Sequence, residues 1–595
     1  MTVPNQTIEV LLSEMTVPEK LGQMTQVSND SITPAEVADH AIGSVLSGGN
    51  GNPTPNTPSV WVDMVGSFVE AAAGSRLGTP LIYGVDAVHG HCNVGGATVF
   101  PHNIGLGSAG DPDLVERIGW ATATEMLATG VRWTFAPTVA VPQDIRWGRT
   151  YEGYGRDPDL VSSLGAAAIR GLQGSNGGSV RVLACAKHFV GDGATSWGTA
   201  PRLDFVDWWD GWGDHWQIDQ GDARISEQEL RAIHLRPYIG AVEAGVMTVM
   251  ASYSSWNGTK VHAHRDLLTD ILKGDLGFRG FVVSDWMGVD QLKPSYEDSV
   301  VEAINAGIDM VMVPEDYRRF LAVITRAVAD GRIPLTRVDD AVRRILTAKS
   351  SAGLFGPDLE AQPLSVVGSV EHRALASEAV RRSAVLLKDN GALPLSPDTP
   401  SIDVAGGAAD DIGLQCGGWT VGWQGGSGPT TPGSTLLDGL RTIFDDTSFD
   451  PSGHFPGREP AEVGIVCIAE QPYAEGPGDC AQPDASQSDR AVFARMRATH
   501  QVVVLVIYSG RPLVIPDLID QADAVVAGWL PGTEGSALAD VLIGAHSFTG
   551  RSSQPWPRSV ADRGTPGPEP LYPVGHGLSA PPVPQDHVFR QKERP

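Results

Sequence analysis

The feature that most constrains this chain is a repeated pattern of short apolar segments, each ending in polar residues and each followed by a helical stretch. Seven such segments can be counted, at residues 43–49, 80–90, 132–141, 181–193, 246–258, 280–288 and 307–316. Strands that alternate with helices pair in parallel, and about eight of them over roughly 250 residues are typical of a (β/α)8 barrel. The first part of the chain, residues 1–350, is therefore predicted to be a TIM-like barrel.

Polar side chains stand where these predicted strands end. In barrels of this kind the functional groups lie at the carboxyl ends of the strands, so the residues that occupy those positions are candidates for a site. They are Asp86, Lys187, His188, Tyr253 and Asp285.

The pattern stops near residue 350 and a second α/β region follows. Residues 351–371 lose periodicity and gain glycine and proline, which predicts a linker. A long helix is predicted over residues 372–390, and four apolar segments at 401–407, 462–470, 500–510 and 523–532 read as buried parallel strands. Residues 372–579 are thus predicted to form an α/β sandwich, with residues 580–595 as a surface-lying or disordered tail.

Composition excludes several classes of function. The 595 residues carry a formal net charge of −27, which argues against nucleic acid or an anionic membrane as partner. The longest apolar run, Val502 to Ile507, is far too short to span a membrane. The five cysteines are scattered without a C-x-x-C pair and the chain opens without a targeting pattern, so a cytoplasmic protein is expected, or a secreted or periplasmic one if a signal has been removed.

Asp285 in VVSDW places a carboxylate beside an indole at a strand end. Taken alone it is most simply a helix N-cap. Lys187, His188 and Arg149 supply cationic donors at neighbouring strand ends, where they could bind hydroxyls and hold a carboxylate ionised. A Lys-His pair is, however, more often at the surface or behind a site than catalytic, and Arg149 could equally form an ion pair with Glu152. An alternative metal site at His89 and His91 lacks a placed third ligand, so neither a metal nor another cofactor is expected.

Ten motifs occur together in one order: MTVPEKLGQM, GVDAVHGH, RWGRTYEGYGRDP, AKHFVGDG, MASYSSWNG, GFVVSDW, CGGWTVGWQG, YAEGPGD, PGTEGSALADVL and PVGHGL. In these motifs the chain resembles glycoside hydrolase family 3, and within it the two-domain β-glucosidase and exo-β-glucanase branch. The resemblance runs from Met15 to about Leu578. It implies a barrel followed by an α/β sandwich, with the active site in the cleft between them.

The resemblance also implies roles for residues. Asp285 matches the family's nucleophile and Glu475 its acid/base, with Glu470 as the nearest rival. Trp286 and Trp423 would hold the next sugar between them, unless Trp419 and Trp423 only pack the domain interface. The residues that would line the subsite for the non-reducing glucosyl unit are Asp86, Arg149, Lys187, His188 and Tyr253.

The expected function is that of a retaining, exo-acting β-glucosidase or exo-β-glucanase that takes a small β-glucoside or oligosaccharide as substrate and works by double displacement. The alternatives are a β-xylosidase or β-N-acetylglucosaminidase of the same family, and a carbohydrate-binding protein without catalysis. The full second domain with YAEGPGD and both intact acidic positions favour the glucosidase.

One segment departs from the family pattern. Residues 197–217 form an insertion rich in tryptophan, with Trp197, Trp208, Trp209, Trp212 and Trp216. Exposed, these side chains would extend the substrate cleft or form an oligomer contact; buried, they would pack the loop. The sequence leaves both interpretations open, and it leaves the oligomeric state open as well.

Overall fold

The computed structural model describes residues 5–174, 182–201, 216–356, 362–560 and 569–579. Trp208, Trp209 and Trp212 of the tryptophan-rich insertion lie outside these residues, as does the predicted tail 580–595. Trp197 and Trp216 lie within them.

Eight parallel strands form a closed barrel in the first half of the chain. Strands β8, β1, β2, β3 and β4 are hydrogen-bonded in that order, and β7, β6 and β5 form the remainder. Bridges Trp133–Leu183 and Thr138–Lys187 join β4 to β5, and Val283–Met310 joins β7 to β8, so the ring closes. The predicted (β/α)8 barrel is confirmed. The strands are β1 Thr25–Ser28, β2 Ser44–Ser47, β3 Ile82–Val85, β4 Trp133–Thr134, β5 Cys185–Phe189, β6 Thr248–Ala251, β7 Phe281–Val283 and β8 Val311–Met312.

Strand β1 is the strand that the sequence pattern did not reveal. Its residues TQVS include three polar side chains, yet all four are buried. The Gln26 side-chain amide donates to Ser44 Oγ at 2.8 Å, so a polar group in the barrel interior finds a partner on the neighbouring strand. With three polar residues among four, this strand carries no apolar run by which it could be recognised.

Helices surround the barrel. The first predicted helix start is confirmed: Thr16 and Glu19 form a capping box, with the Thr16 N–H donating to Glu19 Oε2 at 2.8 Å and Pro18 in the first turn. Residues Leu230–His234 and Asp266–Asp275 have π-helical hydrogen bonding. The α-helices are Asn5–Glu14, Val17–Gln23, Pro34–Asp39, Pro58–Ala73, Asn103–Ala109, Pro112–Ala128, Pro158–Gln173, Glu227–Glu229, Arg236–Glu243, Tyr296–Ala306, Tyr317–Ala329 and Leu335–Ser351.

The second half contains a six-stranded sheet with strand order β9, β14, β13, β12, β10, β11. Strand β9 is antiparallel to β14 and all other pairs are parallel. The strands are β9 Val385–Asp389, β10 Ile402–Ala405, β11 Thr447–Asp450, β12 Val463–Ala469, β13 Val502–Tyr508 and β14 Ala524–Trp529; the helices are Val370–Ser383, Ile412–Cys416, Leu436–Ile443, Gln487–Thr499, Pro516–Gln521 and Leu538–Leu542.

Alternate residues of these strands face two separate apolar clusters. Ile465 and Val504 belong to one, Val466 and Leu505 to the other. Buried side chains on both faces of a sheet covered by helices define a sandwich, as predicted.

The prediction of one long helix over residues 372–390 is wrong in its second half. The helix ends at Ser383, and Val385–Asp389 is the edge strand β9. Val385, Leu386 and Leu387 are buried against the sheet, so tertiary packing and a β-branched residue outweigh the helical pattern there.

The described part of the chain has no helix that combines the length and apolar character needed to cross a membrane.

Asp309, just before β8, holds a buried ionic cluster at the barrel wall. Its carboxylate accepts the Val282 N–H of β7 at 2.8 Å, binds Lys273 at 2.8 Å and contacts Arg337. The Asp309 side chain is fully buried. The two cations outweigh the effect of burial, so the pKa of Asp309 lies below its ordinary value.

We expect Asp309→Ala to destabilise the barrel by about 3–5 kcal/mol, because it leaves the buried Lys273 ammonium without its carboxylate partner. Urea unfolding followed by tryptophan fluorescence and circular dichroism measures the loss. Asp330→Ala removes a carboxylate from an exposed pair with Arg332 and should leave the midpoint unchanged. Equal midpoints for Asp309→Ala and wild type would contradict this account of the barrel wall.

Candidate active site

A cavity of about 480 Å³ opens at the carboxyl ends of the barrel strands and is closed on one side by loops of the second domain. The nine residues for which the sequence predicted a catalytic or sugar-binding role line it. From the barrel these are Asp86, Arg149, Lys187, His188, Tyr253, Asp285 and Trp286; from the second domain they are Trp423 and Glu475.

Asp285 follows β7 after one intervening residue and lines this cavity. Its Oδ1 accepts the Trp286 N–H at 2.7 Å, while its own N–H donates to His262 Nε2 at 3.0 Å. Among the described residues, Oδ2 has no hydrogen-bond donor in suitable geometry. Burial raises the pKa of Asp285 to about 6, with Arg149 and Lys187 opposing the shift. Oδ1 is thus held by a hydrogen bond, whereas Oδ2 accepts none from the described residues.

Arg149 touches groups from both domains. Its Nη2 donates to Glu152 Oε2 at 2.9 Å and to His188 Nε2 at 3.0 Å, and its Nη1 lies 3.3 Å from Glu475 Oε1. The ion pair with Glu152 that the sequence left as an alternative is present, and it does not exclude Arg149 from the cavity. The guanidinium both pairs with Glu152 and lines the cavity.

His188 is neutral, with a defined tautomer. Arginine only donates, so Nε2 must carry the lone pair and Nδ1 the proton, which goes to Asp192 Oδ2 at 3.0 Å. Burial, together with Arg149 and Lys187, lowers the pKa of His188 far below its ordinary value. The 3.7 Å approach of His188 Nε2 to Asp285 Oδ2 is therefore not a salt bridge.

Lys187, in β5, and Asp86, which follows β3, form a buried pair. Lys187 Nζ donates to Asp86 Oδ1 at 3.0 Å and lies 5.4 Å from the centre of the Trp419 ring. Burial alone would lower the pKa of Lys187, but the carboxylates of Asp86, Glu152 and Asp285 together outweigh it and raise that pKa. The pair presents a fixed cation and an oxygen acceptor to the cavity, a combination suited to sugar hydroxyls.

Glu475 enters the cavity from the second domain. Burial raises the pKa of Glu475 to about 8; Arg149 opposes the shift, whereas Asp219, Asp285 and Glu152 add to it. The cavity therefore contains two carboxyl groups with separated pKa values, the lower one on the barrel and the higher one on the second domain.

Glu470, the rival position, does not line the cavity. Its Oε1 accepts from Arg511 Nε at 3.0 Å, and its Oε2 accepts the Gly510 N–H at 3.0 Å and the Tyr473 hydroxyl at 2.9 Å. These partners occupy both oxygens in a structural ion pair.

Trp286 and Trp423 lie on either side of the loop that follows β2. A Cβ on Gly48 would come within 2.9 Å of the Trp286 ring, and one on Gly49 within 2.5 Å of Trp423 Cβ. The Trp423 N–H donates to Asn50 Oδ1 at 3.1 Å. Glycine at positions 48 and 49 lets the loop backbone approach both residues.

His89 and His91 are buried and have separate partners. His89 contacts the Phe100 carbonyl at 3.1 Å and the Thr420 hydroxyl at 3.2 Å, while His91 contacts the Thr129 hydroxyl at 2.8 Å. The described residues include no group of three or more His, Cys, Asp or Glu side chains that could hold a metal ion.

The cavity also has lining residues that the sequence did not single out as binding residues. Asp30 follows β1 and was missed because that strand was not recognised. Glu315 follows β8, within the recognised segment 307–316, where the strand-end rule could have found it. Trp216 stands at the end of the insertion and Gln220 shortly after it, and neither follows a barrel strand. The additional residues include Asp30, Gly48, Gly49, Asn50, Trp216, Gln220, Met250, Glu315 and Trp419.

Two family models match the chain. The Glycosyl hydrolase family 3 N terminal domain matches residues 16–348, and the Glycosyl hydrolase family 3 C-terminal domain matches residues 384–580.

Among curated relatives, the lysosomal beta glucosidase of Dictyostelium discoideum is 32% identical over 96% of this chain and 75% of its own length. The periplasmic beta-glucosidase of Salmonella typhimurium is 30% identical over 96% and 79%. A beta-xylosidase of Formosa agariphila is 31% identical over 82% and 71%.

Solved structures are similar throughout the fold. A mutant of the exo-1,3/1,4-beta-glucanase from a Pseudoalteromonas species is 39% identical, with a TM-score of 0.90 over 100% of this chain and 98% of that one. The beta-glucosidase from Listeria innocua in complex with isofagomine is 25% identical, with a TM-score of 0.83 over 97% and 83%. Because the two family models together cover most of the chain, this protein belongs to glycosyl hydrolase family 3.

Proposed function

We propose that this protein is an exo-acting β-glucosidase or exo-β-glucanase that releases glucose from the non-reducing ends of β-glucosides and β-gluco-oligosaccharides. The observation that carries the proposal is the presence in one cavity of Asp285 and Glu475, buried carboxyl groups whose pKa values are about 6 and about 8. Near neutral pH one is largely ionised and the other largely protonated, as a nucleophile and a general acid require.

In the proposed mechanism, Asp285 Oδ2 attacks the anomeric carbon as the bond to the leaving oxygen breaks. Glu475 gives its proton to that oxygen, and a covalent glycosyl-enzyme forms. The Glu475 carboxylate then takes a proton from water, the water oxygen attacks the anomeric carbon, and Asp285 leaves. Two displacements at one carbon retain its β-configuration.

The other cavity residues are proposed to hold the sugar. Lys187, Asp86, Arg149, His188 and Tyr253 present charged and polar groups to the hydroxyls of the terminal glucosyl unit. The Tyr253 hydroxyl donates to the backbone carbonyl of Trp286 at 2.5 Å, which holds the Tyr253 side chain against the Trp286 backbone.

Trp286 and Trp423 are proposed to bind the next sugar between their apolar faces. A relative named beta-xylosidase keeps a xyloside as the second candidate substrate. Both acidic positions are present, which disfavours a binding protein without catalysis.

Two observations favour different cellular locations for the protein. Five free cysteines, four of them buried, favour the cytoplasm. The relatives named lysosomal and periplasmic beta-glucosidase favour an exported protein.

The decisive experiment is proton NMR of the first product released from laminaribiose, cellobiose, an aryl β-glucoside and an aryl β-xyloside. We expect β-glucose to appear before mutarotation, with the aryl xyloside cleaved more slowly. Asp285→Asn should abolish turnover, while Asp298→Asn, which changes an exposed aspartate of the following helix, should act like wild type. An α-anomer appearing first would overturn the double displacement.

Glu475→Gln should affect substrates according to their leaving group. General acid assistance contributes about 10²–10⁴-fold, so kcat/KM for cellobiose should fall by that factor. The dinitrophenolate leaving group needs no proton, so the first half-reaction with 2,4-dinitrophenyl β-glucoside should be nearly unaffected. Pre-steady-state release of dinitrophenol measures it, and Glu462→Gln on the exposed surface is the control. Equal losses on both substrates would remove Glu475 from the acid role.

The pH dependence of kcat/KM should be bell-shaped. Activity falls below about pH 6 as Asp285 becomes protonated and above about pH 8 as Glu475 loses its proton. Initial rates on an aryl β-glucoside across the acidic and alkaline range give the two limbs. Glu475→Gln should lose the alkaline limb and keep the acidic one; an alkaline limb that persists in this variant would assign it to another group.

A further inference from the structure

The loop that carries Glu475, residues 475–480, belongs to the second domain by chain order but makes extensive contacts with the barrel. Asp479 is the centre of these contacts. Its Oδ2 accepts the N–H groups of Gln217, Ile218 and Asp219 at 2.9, 2.8 and 2.9 Å, and its Oδ1 accepts the Gly148 N–H at 3.0 Å. One carboxylate thus gathers four backbone donors from two barrel segments.

Each of the two barrel segments also contributes a charged residue that acts on Glu475. Gly148 precedes Arg149, whose guanidinium lies 3.3 Å from Glu475 Oε1. Asp219 is 3% exposed, its Oδ1 accepts the Trp147 indole N–H at 2.8 Å, and its Oδ2 has no partner among the described residues. The charged groups that act on Glu475 are Arg149, Glu152, Asp219 and Asp285.

The backbone of the loop also packs closely against the barrel. A Cβ on Gly476 would come within 2.2 Å of the Trp216 indole, and a Cβ on Gly148 within 2.1 Å of the Glu475 carbonyl oxygen. The Cys480 N–H donates to the Arg146 carbonyl at 2.9 Å. Trp216, the last tryptophan of the insertion, therefore lies against the loop that carries the second-domain carboxyl group.

Glu475 itself has φ 59° and ψ −143°, a backbone conformation that residues with a Cβ rarely adopt. Such a conformation persists only where surrounding contacts impose it. The contacts of Asp479, Gly148 and Trp216 are among those that cross between the barrel and this loop.

We propose that Asp479 is a positioning residue for proton transfer, which holds the Glu475 loop on barrel residues 148 and 216–219 so that Glu475 faces Asp285. This inference rests on the proposed function, because it assumes that Glu475 is the acid/base. It also assigns a role to the end of the tryptophan-rich insertion: residues 216–219 support the acid/base loop.

The test is Asp479→Asn in the full-length protein. Misplacing a proton donor by about 1 Å costs about 100-fold, so we expect kcat/KM for cellobiose to fall about 10–100-fold, and the first half-reaction with 2,4-dinitrophenyl β-glucoside to change less than about 3-fold. Azide should raise the steady-state rate of this variant on the dinitrophenyl substrate: the anion attacks the anomeric carbon, Asp285 leaves, β-glucosyl azide forms, and no proton is transferred.

Asp389→Asn is the matched control. Asp389 Oδ1 also accepts three backbone N–H groups, of Gly391, Ala392 and Leu393, in the same domain but away from the cavity. It should lower the melting temperature about as Asp479→Asn does, with no preference between substrates and no response to azide.

Gly476→Ala is the second variant and keeps the test decisive if Asp479→Asn does not fold. The added methyl group meets the Trp216 indole, so the same selective loss on cellobiose and the same azide response are expected. A wild-type protein that cleaves neither substrate contradicts the proposed function, and this inference falls with it. An active wild type whose Asp479→Asn and Gly476→Ala variants lose equal factors on both substrates, or lose nothing, contradicts this inference alone.

Discussion

The arrangement of the cavity depends on the guanidinium of Arg149. One end of it binds Glu152 and His188 within the barrel, and the other reaches Glu475 of the second domain. It is a buried cation among several carboxyl groups, and it opposes the rise in pKa of both Asp285 and Glu475. Because it donates to His188 Nε2, it also sets the tautomer of that ring. The Arg149 side chain therefore both balances the negative charge of the cavity and joins the two domains.

Much of the barrel and of the cavity lining could be predicted from sequence, because the relevant information is local. A strand end is recognisable within about ten residues, and in a parallel barrel all strand ends meet at one face. Asp86, Lys187, His188, Tyr253 and Asp285 follow from that rule alone, and all of them line the cavity. Their roles, and those of Glu475 and Arg149, come from the ordered motifs and are proposals.

The remainder could not be predicted because it depends on contacts between distant segments. Strand β1 consists mostly of polar residues that are buried in the fold, and the residues of β9 continue the pattern of the preceding helix although they pair with the sheet. Asp479 and Gly148 are 331 residues apart, so no spacing reveals their bond. Glu470 and Glu475 look alike in sequence, and only the ion pair with Arg511 shows that Glu470 is committed elsewhere.

The backbone conformation of Glu475 has a consequence for how such chains can be recombined. A residue with a Cβ in this region of φ and ψ costs about 1–3 kcal/mol, and the supporting contacts come from the other domain. A chimaera that joins this sandwich to the barrel of another family member would free the loop to relax, even with both carboxylates intact. A successful domain exchange must therefore transfer residues 145–149 and 216–219 of the barrel together with the sandwich, because the site is built from residues on both sides of the domain boundary.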